Sequence, residues 1–190
     1  MDGNATIIAA NKLLAAMRKE DGTLRTYDEM KAEGIETKYL GRYETNTTPG
    51  LCRLDPNTGI GDPTPAFTYC LNLAEVEVDT KTGKTTVLKF TCVDFVGRIG
   101  NIDAVNGQAY SGIMHGIGFA LKEDYADVKK HANMFGAGTS YIKDVPDDID
   151  LIHIDGAISD GPFGSSGASE AFQASGHCAV LNGIYNACGV

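Results

Sequence analysis

The sequence predicts an α+β fold in which helices pack on a mainly antiparallel sheet, and three observations carry that expectation. Two β-prone runs, 71–78 and 84–96, flank the turn-forming stretch Asp79-Thr80-Lys81-Thr82-Gly83, which is the pattern of a hairpin. Segments 4–19 and 168–188 place their apolar residues near helical spacing. Segment 101–123 does the same between them, so the hairpin has helices to cover it.

In order along the chain, 4–19 sets Ile7, Ile8, Leu13, Leu14 and Met17 against the polar Lys12, Arg18, Lys19 and Glu20. This amphipathic helix stops at Asp21-Gly22. Thr26-Tyr27-Asp28-Glu29 has the capping-box pattern and starts a short second helix ending at Gly34. Tyr39, Tyr43 and several threonines make 36–48 strand-like. The Gly-, Pro-, Asn- and Asp-rich 49–65 is a long surface loop. In the hairpin, Glu75, Glu77 and Asp79 alternate with apolar neighbours, which leaves one face solvated. Segment 101–123 carries glycines at 107, 112, 116 and 118. Each costs a helix about 1 kcal/mol relative to alanine. Their density points either to close helix packing or to close approach of a ligand. Segment 126–146 is loop-rich, 151–154 a short strand, 161–167 a glycine-rich loop and 168–188 the last helix. No repeat or domain boundary interrupts the 190 residues, which read as one domain or subdomain.

Charge narrows the function. Twenty-five acidic residues against 16 basic ones give a net charge of -9. There is no basic face for a phosphate backbone and no polybasic patch for an anionic membrane. No apolar run approaches the ~20 residues of a membrane span. Met1-Asp2-Gly3-Asn4 lacks the basic start of a signal peptide, and a cytoplasmic protein is expected. Cys52, Cys70, Cys92, Cys178 and Cys188 are odd in number and widely spaced, without a C-x-x-C. They read as reduced thiols and not as a disulfide framework, zinc site or iron–sulfur run. Cys178 and Cys188 are expected to be buried on the last helix. His115, His131, His153 and His177 form no H-x-x-x-H pair, and no metal ligand is assigned.

The stretch most able to carry chemistry is Gly161-Pro162-Phe163-Gly164-Ser165-Ser166-Gly167-Ala168-Ser169-Glu170. Its glycines and serines precede a helical run, so backbone N–H groups are free to face an anion. It lacks the Gly-Lys-Ser/Thr of a phosphate-binding loop and the Gly-x-Ser-x-Gly of a nucleophile elbow. Glu170 has two readings: a charge complementing the helix dipole, or a general base tuned by its surroundings. The second candidate is Val105-Asn106-Gly107-Gln108, continuing through Gly116-Ile117-Gly118. Gln108 there could present its amide to a ligand or lie solvated.

These stretches resemble the molybdopterin hydroxylases of the aldehyde oxidoreductase and xanthine dehydrogenase kind. The 161–170 loop resembles the one that carries their catalytic glutamate. Val105 to Leu121 is similar to their Gly-Gln segment beside the pterin, and the hairpin and the Ala179-Val180-Leu181-Asn182 helix also look familial. The resemblance spans nearly the whole chain. It implies a C-terminal subdomain of a molybdopterin-binding domain, with 1–190 a single fragment of the molybdenum-binding subunit. It implies a molybdopterin cofactor, in the cytosine dinucleotide form, and Glu170 as the base in hydroxyl transfer. It implies Gln108 near the pterin, and the amides of Gly164, Ser165, Ser166, Gly167 and Ala168 facing the cofactor.

The Gly-Pro-Phe-Gly opening points to aldehydes oxidised to carboxylic acids; purines or other N-heterocycles are the alternative. Two departures stand out. Ser169 precedes the glutamate where many relatives have glycine, and His115 stands where some have glutamine. The family's earlier glycine-rich and arginine-containing loops and its iron–sulfur domain have no counterpart here. The expected partners are therefore those missing segments and a small-molecule substrate. The isolated chain is expected to self-associate and to retain no cofactor, and a non-catalytic module is the reading from another class.

Overall fold

The computed structural model describes residues 2–44, 54–61, 64 and 66–189. The chain clusters into two compact units, 1–66 with 159–164, and 67–158 with 165–190.

In the first unit, α1 (Asp2–Met17) and α2 (Tyr27–Ala32) stand close to their predicted places. The capping box forms as the sequence implies. Thr26 Oγ1 accepts from the Glu29 amide, and the Glu29 carboxylate accepts from the Thr26 amide at 2.7 Å. Lys19 Nζ holds the same carboxylate at 2.8 Å. The strand expected over 36–48 does not form in the described part, 36–44; the rest lies outside the described residues. A strand needs a ladder partner, and this segment lies on a helix instead. Gly41 is so close to α1 that a Cβ there would fall 1.8 Å from the Ala5 carbonyl oxygen, and Lys12 Nζ donates to Leu40 O at 2.8 Å. Of the expected loop at 49–65, residues 54–61 form a turn in which Asp55 accepts from the Asn57 and Gly59 amides.

The second unit holds a three-stranded sheet in the order β1 (Tyr69–Val78), β2 (Thr85–Phe95), β3 (Asp148–His153). β1 and β2 make the predicted antiparallel hairpin, with Tyr69 opposite Phe95 and Val78 opposite Thr85. A bulge at Glu75/Val76 leaves Leu88 without a partner. The extra residue switches the alternation, so Val87 and Phe90 both face inward while Leu88 is exposed. β3 runs parallel to β2, so the sheet is mixed, with one antiparallel and one parallel pair. The cause is the long connection carrying α3 (Ile102–Leu121), since parallel neighbours require such a crossover.

Asn101 caps α3 by accepting from the Ala104 amide at 3.0 Å. Ala109, Gly112, Ile113, Gly116 and Ile117 are buried, the i, i+3, i+4, i+7, i+8 stripe of a helix lying on a core. The short α4 (Met134–Ala137) and a 3₁₀ turn at Ile142–Asp144 lie in the loop-rich region. The single helix expected over 168–188 is two, α5 (Ser169–Ala174) and α6 (Gly176–Cys188), broken at Ser175. Two tertiary contacts fall on that break. Ser175 Oγ accepts from Asn72 Nδ2 of β1 at 2.9 Å, and Gly176 packs closely on Gly116 of α3, where an added Cβ would come 3.0 Å from the Gly176 Cα. Phe90, Cys92, Ile113, Ile117, Phe172 and Val180 form the centre of the core. Cys178 and Cys188 are exposed, contrary to expectation, because α6 buries the face that carries Gly176 and Val180.

Candidate active site

α3 presents Gln108, Ser111, Gly112 and His115 along one stripe, because residues at i, i+3, i+4 and i+7 lie one above another. α5 lies against that stripe and adds Ser169, Glu170 and Gln173. Together they line a small cleft of about 150 Å³. The approach of the two helices depends on Gly112. A Cβ there would come 2.6 Å from Phe172 Cβ and 2.9 Å from the Gln173 backbone nitrogen. Tight helix packing thus accounts for Gly112 and Gly116, whereas Gly107 has open space around it.

Phe172 is fully buried and anchors α5 in the core, which turns Ser169 and Glu170 outward on the same helix. Ser169 Oγ donates to Gln108 Oε1 at 2.6 Å. This bond ties the start of α5 to α3 and orients the Gln108 amide, whose nitrogen has no partner among the described residues. Ser169 therefore has a structural task here. Glu170 is exposed in the first turn of α5, beside Gln108 and His115. The N-cap residue, Ala168, supplies no side-chain acceptor, so the first amides of α5 remain uncapped.

The amides expected to face a ligand divide into two sets. The Gly164 amide donates to Gly161 O at 2.8 Å within the first unit. In the second unit the Ser166 amide donates to Val96 O at 2.9 Å, and Ser165 Oγ donates to Arg98 O at 2.5 Å. The amides of Gly167 and Ala168 have no partner among the described residues, and Gly167 faces open space. Phe163, just before this stretch, is the one non-glycine residue with positive φ among the described residues, at 57°, and it is exposed. Among the described residues no three His, Cys, Asp or Glu side chains gather as a metal site.

A polar cluster in the second unit was not anticipated. His153 Nδ1 lies 2.6 Å from Asp94 Oδ2, and His153 Nε2 lies 2.7 Å from Asn106 Oδ1. The Asp94 side chain is 0% exposed, and its second oxygen has no partner among the described residues. Burial raises its pKa above the usual carboxylate value, and the bond to His153 opposes that rise. The one sequence signal was an acid at an inward position of a strand; its partners, 12 and 59 residues further on, gave none.

The family described as the molybdopterin cofactor-binding domain matches residues 1–146, a span that includes Gln108 and ends before α5. An aldehyde oxidoreductase of Megalodesulfovibrio gigas is 43% identical over all 190 residues, which make up 21% of its length. Among solved structures, the aldehyde oxidoreductase from Desulfovibrio gigas matches with a TM-score of 0.92 at 42% identity, over 100% of this chain and 21% of that one. Quinoline 2-oxidoreductase from Pseudomonas putida 86 matches with a TM-score of 0.50 at 27% identity, over 60% of this chain and 15% of that one. The chain spans about a fifth of the length of the two aldehyde oxidoreductases it matches throughout. With three quarters of its residues inside the family match and all of them aligned to an aldehyde oxidoreductase, the chain belongs to the molybdopterin cofactor-binding domain family.

Proposed function

We propose that residues 1–190 are a single fragment of the molybdenum-binding subunit of a hydroxylase that oxidises aldehydes to carboxylic acids, and that Glu170 is its base. The observation that carries this reading is the cleft between α3 and α5, where Glu170, Gln108 and Ser169 meet in a chain aligned over its whole length to an aldehyde oxidoreductase. The likeness to quinoline 2-oxidoreductase supports an N-heterocycle as the second substrate class.

The residues present fit one side of a molybdopterin. The unpaired amides of Gly167 and Ala168, the uncapped start of α5 and the free Gln108 amide nitrogen are all donors, as an anionic cofactor requires. The cytosine dinucleotide form is part of the proposal. When bound, the cofactor supplies the hydroxyl-transfer and redox chemistry. The Glu170 carboxylate accepts a proton at the mouth of the cleft. Ser169 fixes the Gln108 amide, and Gln108 in turn orients the group it donates to.

A cleft of about 150 Å³ is well below the ~300 Å³ at the small end of ligand pockets. That supports an isolated chain that retains no cofactor. The rest of the site comes from other segments of the subunit, an iron–sulfur domain serves as its redox partner, and the enzyme works in the cytoplasm. For the chain itself, no described helix is long and apolar enough to cross a membrane.

In the complete subunit, Glu170→Gln is expected to lower turnover by ~10²–10⁴-fold, the usual worth of a positioned base, with molybdenum content unchanged. Near-normal aldehyde oxidation by that variant would leave Glu170 as a helix-end charge only. Molybdenum that stays with the 190-residue chain through gel filtration would contradict the incomplete site.

A further inference from the structure

Two thiols on the inner face of the sheet take no part in the proposed chemistry. Cys70 of β1 and Cys92 of β2 are free, and their sulfurs lie 3.4 Å apart. The residues are not opposite each other. Cys70 faces Asp94 and Cys92 faces Asn72 across the ladder, so the thiols meet on the diagonal. Their surroundings differ. Cys92 is fully buried, whereas Cys70 is half-buried. A hydrogen bond from the Cys92 thiol lowers the pKa of Cys70 and raises that of Cys92, and burial pushes Cys92 higher still. The more accessible sulfur, a thiol at rest that donates to Asn72, is thus the one that loses its proton the more readily, beside a buried thiol that keeps its own. That is the pairing of an attacked cysteine with a resolving one.

A short chain of hydrogen bonds leads away from the pair. Cys70 Sγ donates to Asn72 Oδ1 at 3.6 Å, and Asn72 Nδ2 donates to Ser175 Oγ at 2.9 Å. Ser175 ends α5 and begins α6.

We propose that Cys70 and Cys92 are a reversible oxidation site for hydrogen peroxide, and that its state is transmitted through Asn72 to the joint between α5 and α6. The Cys70 thiolate attacks one peroxide oxygen, the O–O bond breaks, and Cys70 sulfenic acid forms as the first water leaves. The Cys92 sulfur then attacks the Cys70 sulfur. The S–S bond forms, the S–O bond breaks, and the second water leaves. Two thiols are oxidised and one peroxide is reduced to two waters, with the two thiol protons completing the balance. Oxidation removes the proton that Asn72 accepts from Cys70, so the amide next to Ser175 loses one of its two anchors. A bridge between diagonal residues pulls on both strands, which makes it readily reversed by thiols.

The test uses the 190-residue chain with Cys52, Cys178 and Cys188 replaced by serine, so that only the pair remains. After hydrogen peroxide, peptide mapping without reductant is expected to find the Cys70 and Cys92 peptides joined with the loss of two hydrogens, and separated again by dithiothreitol. Cys92→Ser is expected to stop at a Cys70 sulfenic acid captured by dimedone, and Cys70→Ser to leave Cys92 unmodified. Amides 173–177 are expected to exchange hydrogen several-fold faster in the oxidised chain. Oxidation of Cys70 to sulfinic acid without a link, or oxidation of Cys92 in the Cys70→Ser chain, overturns the site. A link that leaves exchange at 173–177 unchanged overturns the transmission.

Discussion

Asp94 gives up water on every side for one histidine, at 2.6 Å, and that histidine is held from behind by Asn106. Removing His153 leaves a buried carboxylate with no partner on either oxygen. His153→Ala is therefore expected to destabilise the chain by about 3–5 kcal/mol in urea unfolding. A loss below about 1 kcal/mol would mean that water reaches Asp94. The pH dependence has a definite sign. The folded-state pKa of Asp94 is raised above the ordinary 3.8 by burial, so its contribution is whole below that value and is lost as pH rises through the raised one. Asp94→Asn should flatten this fall in stability with pH, as read from unfolding curves at a series of pH values.

At the scale of single elements, α3 sets two glycines in opposite circumstances. Gly112 touches Phe172 and the Gln173 backbone, so Gly112→Ala must push α5 away. The expected loss is about 1–3 kcal/mol, with Gln108 and Ser169 drawn apart. Gly107 is exposed in the same helix with nothing within contact of an added Cβ, so Gly107→Ala is expected to gain up to about 1 kcal/mol. Thermal unfolding of the two variants should shift in opposite directions; a shared direction would mean that the helix contacts differ from those described.

The second element-scale prediction concerns α2. The Lys19 ammonium, then the Thr26 amide, hold Glu29 down at about 2 from the usual 4.5. A lowered carboxylate pKa stabilises above the ordinary value and is lost as pH falls through the folded one. The amides of α2 should lose protection between pH 4.5 and about 2 by NMR, and Glu29→Gln should remove that step.

At the scale of the whole fold, the outer face of the sheet leaves a row of apolar side chains uncovered among the described residues. Tyr69, Leu71 and Leu73 of β1 are exposed at 62%, 63% and 57%, and Ile152 of β3 continues the row that joins Leu71 to Val93. At the other end of the same face stands the row Glu75, Lys89 and Asp148, with Lys89 held by Asp148 and Asp150. An apolar patch of this kind on a stable protein is normally covered. The isolated chain is expected to self-associate through it, and the complete subunit to cover it with its other segments. Leu71→Glu together with Leu73→Lys should convert the associated chain to monomers in analytical ultracentrifugation. A parent chain that is monomeric at all concentrations tested would remove this reading.

The sequence by itself determined what depends on neighbours in the chain. The alternation around Asp79-Thr80-Lys81-Thr82-Gly83 sets the hairpin, Thr26 and Glu29 cap α2, and the spacing from Ala109 to Ile117 makes one buried stripe of α3. Pattern alone fixes these, because strand and helix periods place side chains without reference to the rest of the fold. The tertiary structure decided what depends on distant partners. β3 joined β2 in parallel because a helix-bearing crossover separates them. The last helix broke at Ser175 because Asn72 and Gly116 meet it there. The segment 36–44 lay on α1 for want of a strand to pair with. The candidate site divides in the same way. Its loop and Glu170 were legible as a motif, but the pairing of Gln108 with Ser169, 61 residues apart, was not. Neither were the meetings of Cys70 with Cys92 and of Asp94 with His153, for such contacts arise only once the core has brought separate strands and helices together.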